Sequence, residues 1–255
     1  MSDALVLCYH AVSEHWSADL SVRSGRLSNQ LELLARLGYR GVTFSEIVAG
    51  SGPGKSVAVT FDDGFHSVID HAFPILTNLG WPATVFVVTD YGDGHRPLRW
   101  PGIDGWFGTA HELELAATSW EELHTLQAAG WEVGSHTCSH PRLTQLGDEE
   151  LRHELADSRA LCEQHLGVPC RSIAYPYGDV NGRVIERAKE AGYLAGASLP
   201  APLHPVRPLD WPRVGVYHPD HLPRFVLKAS SLGRRVRTRK VRNGYESPDR
   251  PHLTG

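Results

Sequence analysis

The chain's 255 residues, 41% of them hydrophobic, suffice for one sizeable core, and we read one α/β domain rather than two small ones. The formal net charge of −4 hides an asymmetry: nine Lys and Arg follow His221 against Glu246 and Asp249, leaving 16 basic and 27 acidic residues in a body at −11. Cys8, Cys138, Cys162 and Cys170 form no CxxC pair, which argues against a disulfide scaffold. The opening MSDALVLCYHAV lacks a basic lead, and its apolar run is too short for a signal peptide or membrane span, so a cytoplasmic location is expected.

In chain order, Ala4 to Tyr9 reads as a strand, and Leu27, Leu31 and Leu34 before Gly38 as a helix with its glycine stop. Val57 to Phe61 is a second strand, followed by helix to Leu79 with an interruption at Pro74 and a stop at Gly80; Ala83 to Val88 is a third strand. Residues 91 to 118 break into Gly, Pro and Trp, a loop long enough to be a lid or substrate wall, or else an Ω-loop stapled by Trp100 and Trp106. Ser119-Trp-Glu-Glu122 is a capping box opening a helix to Ala129, and Trp131 to Gly134 a strand. A helix from Asp148 to Leu166 follows, then a strand through Ser172 to Ala174 leading into Tyr175-Pro176-Tyr177-Gly178. A helix to Ala191 and strands at Leu194 to Ala197 and Val214 to Tyr217 complete the pattern, which shows no internal repeat. We set the domain at residues 1–222. Residues 223–255 are a basic tail with little apolar content, expected to be largely disordered and, at most, in weak contact with an anionic membrane surface.

Short apolar strands alternating with helices are the signature of βα units around a parallel sheet. Tyr9-His10, Asp62-Asp63-Gly64, Ser135-His136 and Tyr175 to Gly178 each follow the C-terminal end of a different strand. In a parallel barrel those ends converge on one mouth. Two adjacent carboxylates, Asp62 and Asp63, can divide labour between holding a cation and serving as a base, although Asp-Asp-Gly is also ordinary turn and cap chemistry. His136 and His140, at i and i+4, would face one way on a helical turn, and Asp63 would complete a two-His, one-carboxylate set with open positions. A zincin is disfavoured, since Thr137 stands where that motif needs Glu. His66, His71, His111, His124, His153 and His165 receive no role, and Trp81, Trp120 and Trp131 are read as packing residues. Cys8 and Cys138 are not taken as nucleophiles.

Thr60-Phe61-Asp62-Asp63-Gly64, Ser135-His136-Thr137-Cys138-Ser139-His140 and Tyr175-Pro176-Tyr177-Gly178, in this order, resemble the polysaccharide deacetylase family with its NodB-homology domain, in the branch similar to poly-N-acetylglucosamine deacetylases. The resemblance runs from about residue 4 to 218. It implies an irregular (β/α)7 barrel, a divalent ion, zinc before cobalt, nickel or manganese, on Asp63, His136 and His140, and Asp62 as general base. Two departures stand out. Where the family usually has an Arg that orients the base, this chain has Ala174, and Arg213 is the candidate replacement. The family's C-terminal Leu-x-His is missing, and His10 in LVLCYH is the candidate acid, as in the branch with an N-terminal Tyr-His.

The reaction so implied removes an N-acetyl group from an amino sugar in a glycan, glycolipid or intermediate, with the Tyr177 N–H as an oxyanion donor. Tyr175, Tyr177, Trp100 and Trp106 are the candidate sugar-stacking residues. An O-acetyl ester, a non-sugar amide or an imide would suit the same machinery, and a catalytically silent carbohydrate-binding barrel is the alternative of another class. The acidic body and absence of a nucleic-acid motif argue against a nucleic-acid partner.

Overall fold

The computed structural model describes residues 4–199 and 206–230. The chain begins with β1 (Ala4–Tyr9), a short parallel pair β2 (Ala11–Val12) and β3 (Ser21–Val22), and α1 (Ser24–Arg36). It continues through β4 (Arg40–Val42), α2 (Phe44–Ala49), β5 (Ser56–Phe61), α3 (Phe73–Leu79) and β6 (Thr84–Val87). After a long loop come α4 (Trp120–Ala128), β7 (Glu132–Ser135), α5 (Asp148–Arg152), α6 (Ser158–Leu166), β8 (Ser172–Ala174) and α7 (Gly182–Glu190). The last elements are β9 (Ala195–Ser198), β10 (Trp211–Pro212), β11 (Val214–Gly215) and α8 (Leu222–Ala229).

Strand order in the main sheet is β10-β9-β8-β7-β6-β5-β1-β11, with every pairing parallel and β4 beside β5 off this path. The two ends of that order are neighbours in sequence. β10 pairs with β9, β11 pairs with β1, and only Arg213 separates them, so one run of chain closes the sheet. Counting β10 and β11 as one stave gives seven along this path, the irregular (β/α)7 barrel that the family resemblance implies.

Alternation along the strands sorts the side chains. Leu5, Leu7, Val57, Val59, Val85 and Ile173 pack in the large cluster shared with the helices, where Leu27, Leu31 and Leu34 of α1 meet them. The opposite parity carries Val6, Ala58, Phe86, Ala174, Ala195 and Ala197, mostly small side chains, as a narrow interior demands. Phe86 fills part of that interior because Gly134 has no side chain: a Cβ there would stand 2.6 Å from the ring.

α2, which our reading of the sequence did not include, packs Phe44 and Ile47 into this inner cluster and touches β1, β5 and β9. A reciprocal capping box between Thr43 and Glu46 starts it, and Gly50 in the left-handed region ends it. Glu132 of β7 tethers it, accepting from the Ser45 N–H at 2.9 Å, the Thr84 hydroxyl at 3.1 Å and the Ser172 hydroxyl at 2.6 Å.

Three expectations need correction. The helix read from Asp148 to Leu166 is α5 and α6 joined by a π-turn at His153–Asp157, and the segment before α3 likewise holds a π-turn at Val68–Ala72. The strand expected through Tyr217 stops at Gly215. The boundary at residue 222 falls too early. Leu222–Ala229 is α8, which buries Phe225 and Ala229 in the main cluster and contacts α1. The apolar stripe within LPRFVLKA outweighs the basic composition that suggested a tail from residue 223. Residues 231–255 lie outside the described residues. Among the described residues no helix is long and apolar enough to cross a membrane.

Candidate active site

Asp62, His136 and His10 directly follow the C-terminal ends of β5, β7 and β1. Asp62 extends β5, its N–H donating to the Tyr9 carbonyl at 2.9 Å, so its side chain follows the inward parity of Ala58 and Thr60. Asp63 and Gly64 then turn the chain at φ 72° and 74°. A left-handed aspartate is uncommon, and with a glycine after it the turn brings a second carboxylate to the mouth.

His136 follows β7, its N–H bonded to the Val87 carbonyl at 2.7 Å. The segment to His140 is not the helical turn expected: Thr137 and His140 have φ 70° and 66°, so a twice-inverted loop brings the two rings to 4.9 Å between centroids. The clasp on this loop is Glu154, from the π-turn. Its carboxylate accepts from the Cys138 N–H at 2.8 Å, the Ser139 N–H at 3.0 Å and the Ser139 hydroxyl at 2.5 Å.

The Nε2 atoms of His136 and His140 each lie 3.3 Å from Asp63 Oδ1, and all three residues are at most 5% exposed. Asp63 Oδ1 nevertheless makes no properly directed hydrogen bond. A buried carboxylate oxygen and two imidazole nitrogens aimed at one point without bonding to one another suit a cation between them. His136 Nδ1 is 2.8 Å from the Ala174 carbonyl, which fixes Nδ1 as the protonated nitrogen and turns the Nε2 lone pair inward. His140 is held by stacking on Trp100, centroids 4.2 Å apart. Burial raises the Asp63 carboxyl, but the two imidazoles more than offset this and hold it well below the usual range.

Asp62, 2% exposed, stands beside this group and faces Arg213, the residue that closes the barrel. The guanidinium donates through NH1 to Asp62 Oδ1 at 2.6 Å and Thr60 Oγ1 at 2.9 Å, and through NH2 to Asp62 Oδ2 at 2.7 Å. Its central carbon lies 5.5 Å from the Phe86 ring centre. Burial pushes the Asp62 carboxyl up, but the charges of Arg213 and His136 outweigh it and hold the group at about 2. The Cys8 thiol donates to Asp62 Oδ2 at 3.4 Å, and burial raises its pKa well above the ordinary thiol range.

His10, 8% exposed, follows β1 on the same inward parity as Val6 and Cys8, with a ring nitrogen within 4.8 Å of both the Cys8 thiol and an Asp62 carboxylate oxygen. Its Nδ1 has no hydrogen-bond partner among the described residues. Burial lowers its pKa against the opposing pull of Asp63 and Asp62. Its ring stacks on Tyr217 at 6.2 Å, and a buried latch fixes that partner: the Tyr217 N–H and Lys228 Nζ donate to Asp220 Oδ2 at 2.9 and 2.6 Å. α8 therefore supports the site from behind.

The four residues expected to stack on sugar separate in the structure. Tyr177, at φ 59°, turns toward the mouth, its ring centre 4.6 Å from that of His140 and its hydroxyl donating to the Pro101 carbonyl at 3.1 Å. Its N–H meets no acceptor among the described residues. Tyr175 points the other way: it is 1% exposed in the outer cluster, with its hydroxyl donating to the Leu209 carbonyl at 2.8 Å, so it is a packing residue and not a sugar platform. Trp100, 6% exposed, lays a face on His140, and Trp106 packs edge-on against Trp16 at 5.8 Å. With Leu98, Ile103 and Leu115 these tryptophans form a second cluster, so the 91–118 loop is a packed wall beside the mouth. Glu154, Tyr217 and the Asp220–Lys228 latch were not singled out from the sequence.

The model of the family described as polysaccharide deacetylase matches residues 49–196, more than half the chain and the span holding Asp62, Asp63, His136, His140 and the Tyr-Pro-Tyr-Gly turn. The chain belongs to the polysaccharide deacetylase family. A poly-beta-1,6-N-acetyl-D-glucosamine N-deacetylase of Escherichia coli (strain K12) is 27% identical over 87% of this chain and 38% of its own length. The structure of IcaB from Ammonifex degensii is 31% identical and superposes with a TM-score of 0.73 over 90% of this chain and 97% of that one. Streptococcus pyogenes deacetylase PplD, at 21% identity over 89% of this chain and 98% of its own, shares the fold with a TM-score of 0.74. The chain spans between 38% and 63% of the length of the curated relatives it matches first.

Proposed function

We propose that this protein is a divalent-metal-dependent N-deacetylase that releases acetate from an N-acetylated amino sugar. The observation carrying the reading is the convergence of Asp63 Oδ1 and the two imidazole Nε2 atoms, 3.3 Å apart and not hydrogen-bonded, next to a second buried carboxylate with its own counter-charge. Asp63, His136 and His140 would hold the ion, with zinc the first candidate because nitrogen and carboxylate donors in a three-residue set suit it. When bound, such an ion polarises a carbonyl and lowers the pKa of water.

The remaining chemistry belongs to the chain. Asp62 takes a proton from the attacking water, and its two bonds from Arg213 fix both the plane and the ionised form of the carboxylate. The Tyr177 N–H, set in a strained turn and without a partner among the described residues, faces the acyl oxygen as it becomes negative. His10 protonates the departing amine. Its burial against Tyr217 weakens its hold on that proton, while the two aspartates keep it within reach of the charged form.

The substrate class is supported by the names of the relatives, which act on poly-beta-1,6-N-acetyl-D-glucosamine. The test is acetate release from a panel of N-acetylated and O-acetylated sugars, after chelation and again after adding back zinc or cobalt. Metal-restored release from an N-acetyl sugar is expected. Release from O-acetyl compounds alone would move the protein to the esterases, and one tightly bound metal without release from any compound would refute the deacetylase reading.

A further inference from the structure

The wall of the mouth beyond His140 carries a charge that the reaction above does not use. Arg142 is exposed and opens the short turn Leu143–Gln145, and its guanidinium carbon lies 4.4 Å over the Tyr177 ring. That ring is 4.6 Å from the His140 ring, so a single aromatic ring separates the guanidinium from a metal-ligating imidazole. Cation–π stacking holds the planar fork in place while leaving its N–H edges free.

Arg142 has no carboxylate partner among the described residues. Asp179 is engaged by the Thr144 N–H and hydroxyl at 2.9 and 2.8 Å, and Asp104, whose charge acts on Tyr177, accepts from the Gly102 N–H at 3.2 Å. Arg99 repeats the device on the adjoining loop. It is exposed, its guanidinium carbon lies 4.5 Å over the Phe107 ring, and it precedes Trp100, whose ring covers His140. Residues 1–221 carry −11, so acids are abundant, and two arginines stacked on aromatic rings without a carboxylate partner among the described residues, one of them over Tyr177 at the mouth, are better matched to an anion arriving with the substrate.

Resting on the deacetylase reading, we infer that the substrate carries an anionic group, a carboxylate or a phosphate, on the acetylated sugar or its neighbour. Arg142 is its principal binding residue and Arg99 the second.

Three probes test this with the metal-loaded full chain: a neutral N-acetylglucosamine oligomer, an N-acetylated oligosaccharide containing a uronate, and N-acetylglucosamine phosphate. The parent protein should turn over one of the two anionic probes with the highest kcat/KM, and which one tells carboxylate from phosphate. Arg142→Gln should raise KM for that probe about ten-fold, with kcat nearly kept and with a smaller dependence on salt. Arg99→Gln in the same protein should raise KM further. A parent that prefers the neutral oligomer, or an Arg142→Gln protein losing the same factor on neutral and anionic probes, overturns the inference. Release from none of the three with metal bound defeats the deacetylase reading itself, and this inference falls with it.

Discussion

Replacing Arg213 by Gln tests the link between barrel closure and the base. In the parent protein the Asp62 carboxyl stands at about 2, below its unfolded value of ~3.9, so Asp62 contributes stability that is complete at neutral pH and is lost only as pH falls from ~4 toward 2. A neutral amide in place of the guanidinium cannot supply the charge. Asp62 is then a 2% exposed carboxylate whose burial raises its pKa without the main opposing influence, and breaking a buried pair of this kind costs about 3–5 kcal/mol. With the folded pKa now above the unfolded one, the sign reverses: the penalty is largest at neutral pH and shrinks as pH falls and the group is protonated. Urea denaturation at pH 7.5 and pH 5 should therefore show a large loss at the higher pH and a smaller loss at the lower. The acid limb of kcat/KM, which the proposed mechanism assigns to ionisation of Asp62, should move to higher pH. Arg213→Lys keeps the charge but not the fork that bridges Asp62 and Thr60, and should fall between the two. Equal destabilisation of Arg213→Gln at both pH values with an unmoved acid limb would refute the reasoning.

Asp62→Asn should retain one metal per chain, measured by elemental analysis, while kcat falls about 10²–10⁴-fold; unchanged turnover would remove Asp62 as the base. Glu154→Ala frees the Cys138 and Ser139 amides of the ligand loop and should weaken metal binding about 10–100-fold in competition with a chelator, with secondary structure intact. Phe225→Ala should lower stability by about 3–5 kcal/mol in urea, because α8 is part of the core; a loss near zero would return it to the tail.

How much of this was legible in the sequence depends on distance along the chain. Asp62-Asp63-Gly64 and H-x-x-x-H each follow directly on one strand, so residue type and strand order sufficed to bring them to one mouth. The i, i+4 spacing of the histidines gave the right partners for the wrong reason, since the pairing comes from left-handed Thr137 and His140 and no periodicity reports a positive φ. Thr43-Phe44-Ser45-Glu46 was a readable capping box, as good as Ser119 to Glu122, and passing over it lost the helix that plugs the barrel. Glu154 is different: its carboxylate acts on a loop 15 residues earlier through a π-turn that shifts it off the face a regular helix would give it.

Strand parity ties the remaining outcomes together. Once Asp62 is known to face inward with Ala58 and Thr60, the register across the sheet puts Ala174 inward and Tyr175 outward, which is why the second tyrosine of the turn reaches the mouth and the first is buried. The same parity bears on the departure from the family pattern. An arginine at position 174 would project into the barrel interior, where Ala174 packs in one cluster with Phe86, and it is over the Phe86 ring that the Arg213 guanidinium lies. A small residue on β8 leaves room for the long one that enters from the closing stave. The counter-charge to Asp62, the proposed base, comes from the point where β10 and β11 join the two ends of the sheet. In this protein, therefore, the residue that holds Asp62, the proposed base, also stands in the segment that shuts the barrel. Substitutions that loosen that closure, even away from the mouth, should shift the acid limb of the pH profile together with stability.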